Sequence, residues 1–147
     1  MSFITGVFSN KVLLISIFAC FLAQFIKIFT GDEKRIQISR ILTSGGMPSS
    51  HSSFVTSLST LVGVEYGFNS TEFAVVAVFS MIIMYDASGV RRAVGKQATI
   101  LNQILDDLQN KKHIEQQKLK ELIGHTPVEV FFGAILGIII ALISLCF

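Results

Sequence analysis

A chain of 147 residues that is 51% hydrophobic carries charge at only 15% of its positions, well below the roughly 25% usual in soluble domains. Its mean hydropathy of +0.64 argues against a soluble globular domain. The formal net charge of +2, with no basic tract interleaved with aromatics, gives no footing for nucleic-acid binding.

The placement of charge says more than its amount. Four stretches, near 12–30, 52–70, 73–90 and 126–147, hold only Lys27, Glu65, Asp86 and Glu129 among the charged residues. Each is close to the ~20 residues a helix needs to cross a bilayer, and each is apolar on all faces rather than on one stripe. The reading is therefore an all-α, integral membrane four-helix bundle forming one domain over residues 1–147.

In chain order, the first run has neither a basic start nor a small-residue cleavage site, so it reads as a span and not as a signal peptide. Cys20 and Cys146 both fall inside spans and read as buried small apolar residues. A polar loop follows to Met47, where Gly45-Gly46-Met47-Pro48 is a turn signal. Ser49-Ser50-His51 then opens a second span. Ser53, Thr56, Ser57, Thr60 and Gly63 recur along it at helical spacing, a face suited to close packing in lipid. Gly67 to Ser70 makes a turn into the third span. Between about 94 and 122 lies an amphipathic helical insertion, with Leu101, Ile104, Leu105 and Leu108 on one face, expected to lie on the membrane or to cap the bundle. Gly124 and Pro127 bracket the start of the fourth span.

Consecutive spans run in opposite directions. The end of span one, the start of span two, the end of span three and the start of span four therefore share one membrane face. Those places hold Lys27, His51, Asp86 with Arg91 and Arg92, and His125 with Glu129.

His125 and Glu129 are four apart, so on a helix they share a face. A carboxylate on one imidazole nitrogen fixes the tautomer and leaves the other nitrogen as a nucleophile; the plain alternative is an interface carboxylate facing water. Gly133 and Gly137 continue that stripe and admit a neighbouring helix below the pair. His51 follows Pro48-Ser49-Ser50 at a helix start, where free amides and hydroxyls favour an anion and a histidine can protonate a leaving oxygen. An ordinary N-cap made by Ser49 or Ser50 is the alternative. Arg91 and Arg92 suit bidentate grip on phosphate or serve as topology anchors. Lys27 reaches the same anion or snorkels to the surface.

Three ordered segments carry a resemblance over nearly the whole chain: Gly45-Gly-Met-Pro-Ser-Ser-His-Ser52; Tyr85-Asp-Ala-Ser-Gly-Val-Arg-Arg92 through Leu101-Asn102; and Gly124-His-Thr-Pro-Val-Glu-Val130. They resemble the divergent branch of the type 2 phosphatidic acid phosphatase superfamily, related to acid phosphatases and vanadium-dependent haloperoxidases. The resemblance implies a metal-independent, cofactor-free phosphoric monoester or diphosphate hydrolase acting on a lipid or polyprenyl phosphate. By it, His125 forms a phosphohistidine, Glu129 orients it, and His51 is the general acid. Ser49, Ser50 and the basic residues Lys27, Arg40, Arg91 and Arg92 bind phosphate, with Asp86 in support. The chain departs from the superfamily pattern in four ways. Ser50 replaces a glycine, Glu129 an aspartate, Leu119 stands where an arginine is expected, and Arg40 is not followed by proline.

Ten of the 12 Lys and Arg residues lie in the two loops on the motif face. That bias puts the site on the cytoplasmic face, with both termini outside, in a multi-pass protein of the plasma or inner membrane. The expected partners are membrane lipid and a lipid or polyprenyl phosphate substrate, with no nucleic acid; small-residue faces are compatible with a homodimer. Two other readings stand beside the phosphatase. One is a metal-dependent enzyme using His51, His125, Asp86 and Glu129 as ligands. The other is a non-enzymatic lipid-phosphate binder or carrier that retains the anion site.

Overall fold

The computed structural model describes residues 3–30, 46–109 and 124–147. These form six helices: α1 (Phe3–Phe8), α2 (Lys11–Ile26), α3 (Ser50–Tyr66), α4 (Thr71–Ser88), α5 (Val90–Gln109) and α6 (Pro127–Ser144). No strand occurs among the described residues.

Each long apolar helix starts at a polar cap that satisfies one of its first amides. Asn10 accepts from the Leu13 N–H at 3.0 Å, and Ser70 accepts from the Phe73 N–H at 3.1 Å. Ser49 caps α3 through the Ser52 N–H at 3.4 Å. α3 stops at Gly67, whose φ of +92° favours a residue without Cβ. Gly89 separates α4 from α5, its N–H bonding the Tyr85 carbonyl at 2.8 Å.

α3 is the centre of the molecule, packed by α2, α4 and α6; α2 and α4 also meet α6. Its contacts are made by small and hydroxylated residues. Gly133 of α6 lies against the Ser49 backbone, and Gly137 against Ser53 and Thr56. Ser53 donates to the Ala19 carbonyl at 3.1 Å, tying α3 to α2. Thr56 donates to the Ala134 carbonyl at 3.0 Å, tying α3 to α6. The Ser59 and Ser80 hydroxyls meet at 2.6 Å, and Ser80 donates to the Val55 carbonyl at 3.1 Å, tying α3 to α4.

The large apolar side chains point the other way. Phe18, Phe21 and Phe25 on α2, Phe29 just beyond it, Val75, Phe79 and Ile82 on α4, and Phe131, Ile139 and Leu142 on α6 are exposed. Serine inside and phenylalanine outside inverts the soluble pattern and suits helices that associate in lipid. Two helical stretches, Thr71–Asp106 and Pro127–Ser144, contain windows long and apolar enough to cross a membrane. α2 has 16 residues, a rise of about 24 Å, and the 17-residue α3 is less apolar because hydroxyl residues line its packed face.

Helices α2, α3, α4 and α6 lie over the four apolar stretches of the sequence, and α5 covers the first part of the insertion; residues 110–123 lie outside the described residues. One detail differs from the sequence reading. Cys20 is half-buried, whereas Cys146 lies past the end of α6 and is exposed. On α5 the buried residues are Gly95, Ala98 and Asn102, while Val94, Leu101, Ile104 and Leu108 are exposed. Small residues let the α5 backbone approach its neighbours, so the large apolar stripe is left facing outward.

Candidate functional site

Backbone hydrogen bonds gather the helix ends at one face of the molecule. The Ser49 N–H donates to the Glu129 carbonyl at 3.0 Å, fixing the start of α3 on the first turn of α6. The His125 N–H donates to the Ala87 carbonyl at 2.9 Å, fixing the segment before α6 on the last turn of α4. The Thr30 hydroxyl donates to the Met47 carbonyl, closing the end of α2 onto the turn before α3.

Those ties bring the two histidines together. The His51 and His125 rings lie with centroids 5.9 Å apart and planes at 66°. His125 is only 1% exposed, and its Nδ1 lies 3.1 Å from Glu129 Oε2. With a carboxylate as partner, Nδ1 carries the proton and Nε2 keeps its lone pair. Nε2 is buried and has no hydrogen-bond partner. Burial pushes the His125 imidazole below its ordinary pKa. The Glu129 hydrogen bond and charge oppose that shift, as does the Gly46 backbone beside the ring, and the Lys27 charge adds to it. The ring is therefore held neutral at neutral pH.

Lys27 follows the last turn of α2 and is 3% exposed. It lies close enough to Glu129 and His125 for their charges to interact. Ser49 and Ser50 are buried, and the Ser49 hydroxyl is used as the N-cap of α3, the plainer of its two sequence readings. Asp86 stands half-buried in the last turn of α4, next to the residue that anchors His125. Arg91 and Arg92 fall in the first turn of α5, their side chains outside what is described, and Arg40 lies outside the described residues altogether. Among the described residues, no group of three or more His, Cys, Asp or Glu gathers as a metal site.

The His125–Glu129 pair arises differently from the sequence expectation. His125 precedes α6 instead of lying on it, because Thr126 is the N-cap and Pro127 the first helical residue. What joins the pair is a capping box. The Glu129 N–H donates to Thr126 Oγ1 at 3.3 Å, while the Thr126 N–H donates to Glu129 Oε2 at 3.1 Å. Thr126-Pro-Val-Glu129 spells that capping box in the sequence, a signal that i,i+4 spacing overlooks. Ser52, fully buried one residue after His51, has a hydroxyl without a partner; nothing in the sequence distinguished it from its serine neighbours.

A family model described as the Divergent PAP2 family matches residues 8–140. The chain belongs to that family. A relative from Bacillus subtilis (strain 168), the uncharacterized membrane protein YuiD, is 44% identical over 149 residues, covering 92% of this chain and 94% of its own length. No solved structure matches. This member of the divergent PAP2 family is thus a PAP2-related membrane protein, and its paired histidines lie in two of the three segments that carry the family resemblance.

Proposed function

We propose that the protein is a membrane phosphatase that hydrolyses a lipid or polyprenyl phosphate through a phosphohistidine on His125. The observation that carries this reading is the His125 ring itself: Nδ1 bonded to Glu129, Nε2 buried without a partner, and the His51 ring 5.9 Å away. In the first step the Nε2 lone pair attacks phosphorus. The bond from phosphorus to the ester oxygen breaks, and His51 gives that oxygen its proton. In the second step water attacks the phosphohistidine, His51 takes a proton from it, the P–N bond breaks, and inorganic phosphate leaves. Lys27 and the amides at the start of α3 stabilise the equatorial oxygens, with Arg40, Arg91 and Arg92 proposed to complete the grip. Ser49 accepts from the helix through its Oγ and keeps its O–H as a donor, so both serines are proposed to bind phosphate.

The same proposal takes α2, α3, α4 and α6 as four spans of one bundle, with the site on the cytoplasmic face by the charge bias of the loops. The outward apolar stripe of α5 suits a helix lying in the membrane interface, close to where a lipid substrate presents its headgroup. The test is phosphate release by purified protein from phosphatidate, phosphatidylglycerophosphate and undecaprenyl diphosphate. Release that is vanadate-sensitive, EDTA-insensitive and absent from His125→Ala supports the mechanism; release that persists in that variant defeats it.

A second reading, a lipid-phosphate binder or carrier, is favoured by one feature: the superfamily's first basic motif is missing, Arg40 not being followed by proline. Saturable lipid-phosphate binding without turnover would decide for it.

A further inference from the structure

We propose that Thr126 is a positioning residue for His125, acting through Glu129 without touching substrate. The proposal deepens the phosphohistidine reading and rests on it for its kinetic arm only.

The position of His125 is the starting point. It precedes the helix, so helical periodicity does not aim its ring at Glu129. Two anchors do. From one side, the His125 N–H is held by the Ala87 carbonyl at 2.9 Å. From the other, Glu129 Oε2 lies 3.1 Å from both His125 Nδ1 and the Thr126 N–H. One carboxylate oxygen is thus shared between the ring and the cap backbone. The Thr126 hydroxyl closes the arrangement by accepting the Glu129 N–H at 3.3 Å, which holds the first turn shut and keeps the Glu129 side chain folded back over its own N-terminus.

Glu129 needs such a hold. Its side chain is 20% exposed, whereas His125 is 1% exposed. A glutamate at a helix start with three free torsions and access to water has other places to go. Released from the cap, its carboxylate turns toward solvent or toward Lys27. The imidazole then loses the acceptor that keeps the proton on Nδ1, and Nε2 ceases to be a dependable lone pair. Thr126, itself exposed, thereby sets the tautomer of a buried ring it does not contact through its side chain.

The test uses the full chain in lipid nanodiscs, with ¹⁵N-labelled histidine. Thr126→Ala removes the acceptor, Thr126→Val removes it while keeping the branched shape, and Thr126→Ser keeps it. The side-chain ¹⁵N spectrum of wild type should show His125 with Nδ1 protonated and Nε2 bare. Thr126→Ala and Thr126→Val should shift it toward the opposite tautomer or an average, and Thr126→Ser should restore the wild-type pattern. On the substrate found in the panel, the first two should lower kcat by roughly five- to tenfold with KM unchanged, and the serine variant should recover it. If Thr126→Ala and Thr126→Val melt earlier while the His125 resonances and kcat stay at wild-type values, Thr126 is a helix cap alone and the proposal is wrong. If Thr126→Ala does not fold, the valine and serine variants carry the comparison. Absence of phosphate release in wild type would overturn the phosphatase reading, and the ¹⁵N spectra would still decide the positioning role.

Discussion

Gly133→Ala is the sharpest structural perturbation open to this site. A Cβ built on Gly133 runs into the Ser49 carbonyl oxygen and lies 3.0 Å from both Ser49 Cβ and Ser49 N. All of these atoms belong to the N-cap of α3, two residues before His51, so no flexible side chain can swing aside. Ordinary contact is regained only if α3 and α6 part by roughly 1 Å. That parting strains the 3.0 Å bond from the Ser49 N–H to the Glu129 carbonyl and moves the His51 ring relative to His125. Overpacking of this kind costs about 1–3 kcal/mol of stability, and a displacement of ~1 Å between reacting groups costs about 100-fold in rate. The assay pairs thermal unfolding in detergent with phosphate release. Gly6→Ala is the control, since an added Cβ there meets nothing within 4 Å. Gly133→Ala with wild-type melting and wild-type turnover would refute the claim that α3 and α6 set the histidine geometry through this contact.

Other outcomes follow from the same structure. Lys27→Met removes a charge that depresses the His125 pKa, so the acid limb of the kcat profile, which lies below the ordinary histidine value near 6.5, should move to higher pH; an unmoved limb would mean that Lys27 does not face the ring. Glu129→Gln removes a contribution that raises the His125 pKa, so the limb should move the other way while kcat falls by about 10²-fold or more. The direction of each shift can be read separately by titrating the His125 ¹⁵N signals. Thr56→Val deletes the hydroxyl bonded to the Ala134 carbonyl and should lower stability by about 0.6–1.7 kcal/mol, with activity little changed at equal folded protein; denaturant titration in mixed micelles measures it.

Much of this was legible in the sequence because long apolar helices announce themselves by where charge is scarce. The charge-poor runs around α2, α3, α4 and α6 placed the helices to within a few residues, and antiparallel alternation was enough to expect Lys27, His51, Asp86 and His125 on one face. The small-residue pattern of Gly133 and Gly137 read correctly as close helix approach, because a residue lacking Cβ permits one thing that others do not. The contacts at helix ends were less legible. Whether Ser49 or Ser50 caps α3, and whether His125 lies on α6 or before it, depends on where a helix begins to within one residue, and periodicity has little to say at a boundary. A boundary argument was available in Thr126-Pro-Val-Glu129, where proline at the first helical position and glutamate at the third mark the start. The α5 stripe read as amphipathic, but amphipathicity does not say which face the protein covers: Gly95, Ala98 and Asn102 are buried and the leucines are exposed.

A phosphohistidine is a covalent bond, and trapping it tests the mechanism at its core. Purified protein mixed with a hydrolysable lipid or polyprenyl phosphate, and quenched in alkali within its first turnover, should carry an acid-labile phosphoryl group that peptide mass spectrometry places on His125. It should accumulate further in His51→Ala when supplied with a substrate whose leaving group needs no protonation. A chain that releases phosphate without ever bearing one on His125, or that bears it equally in Glu129→Gln and wild type, would contradict the account.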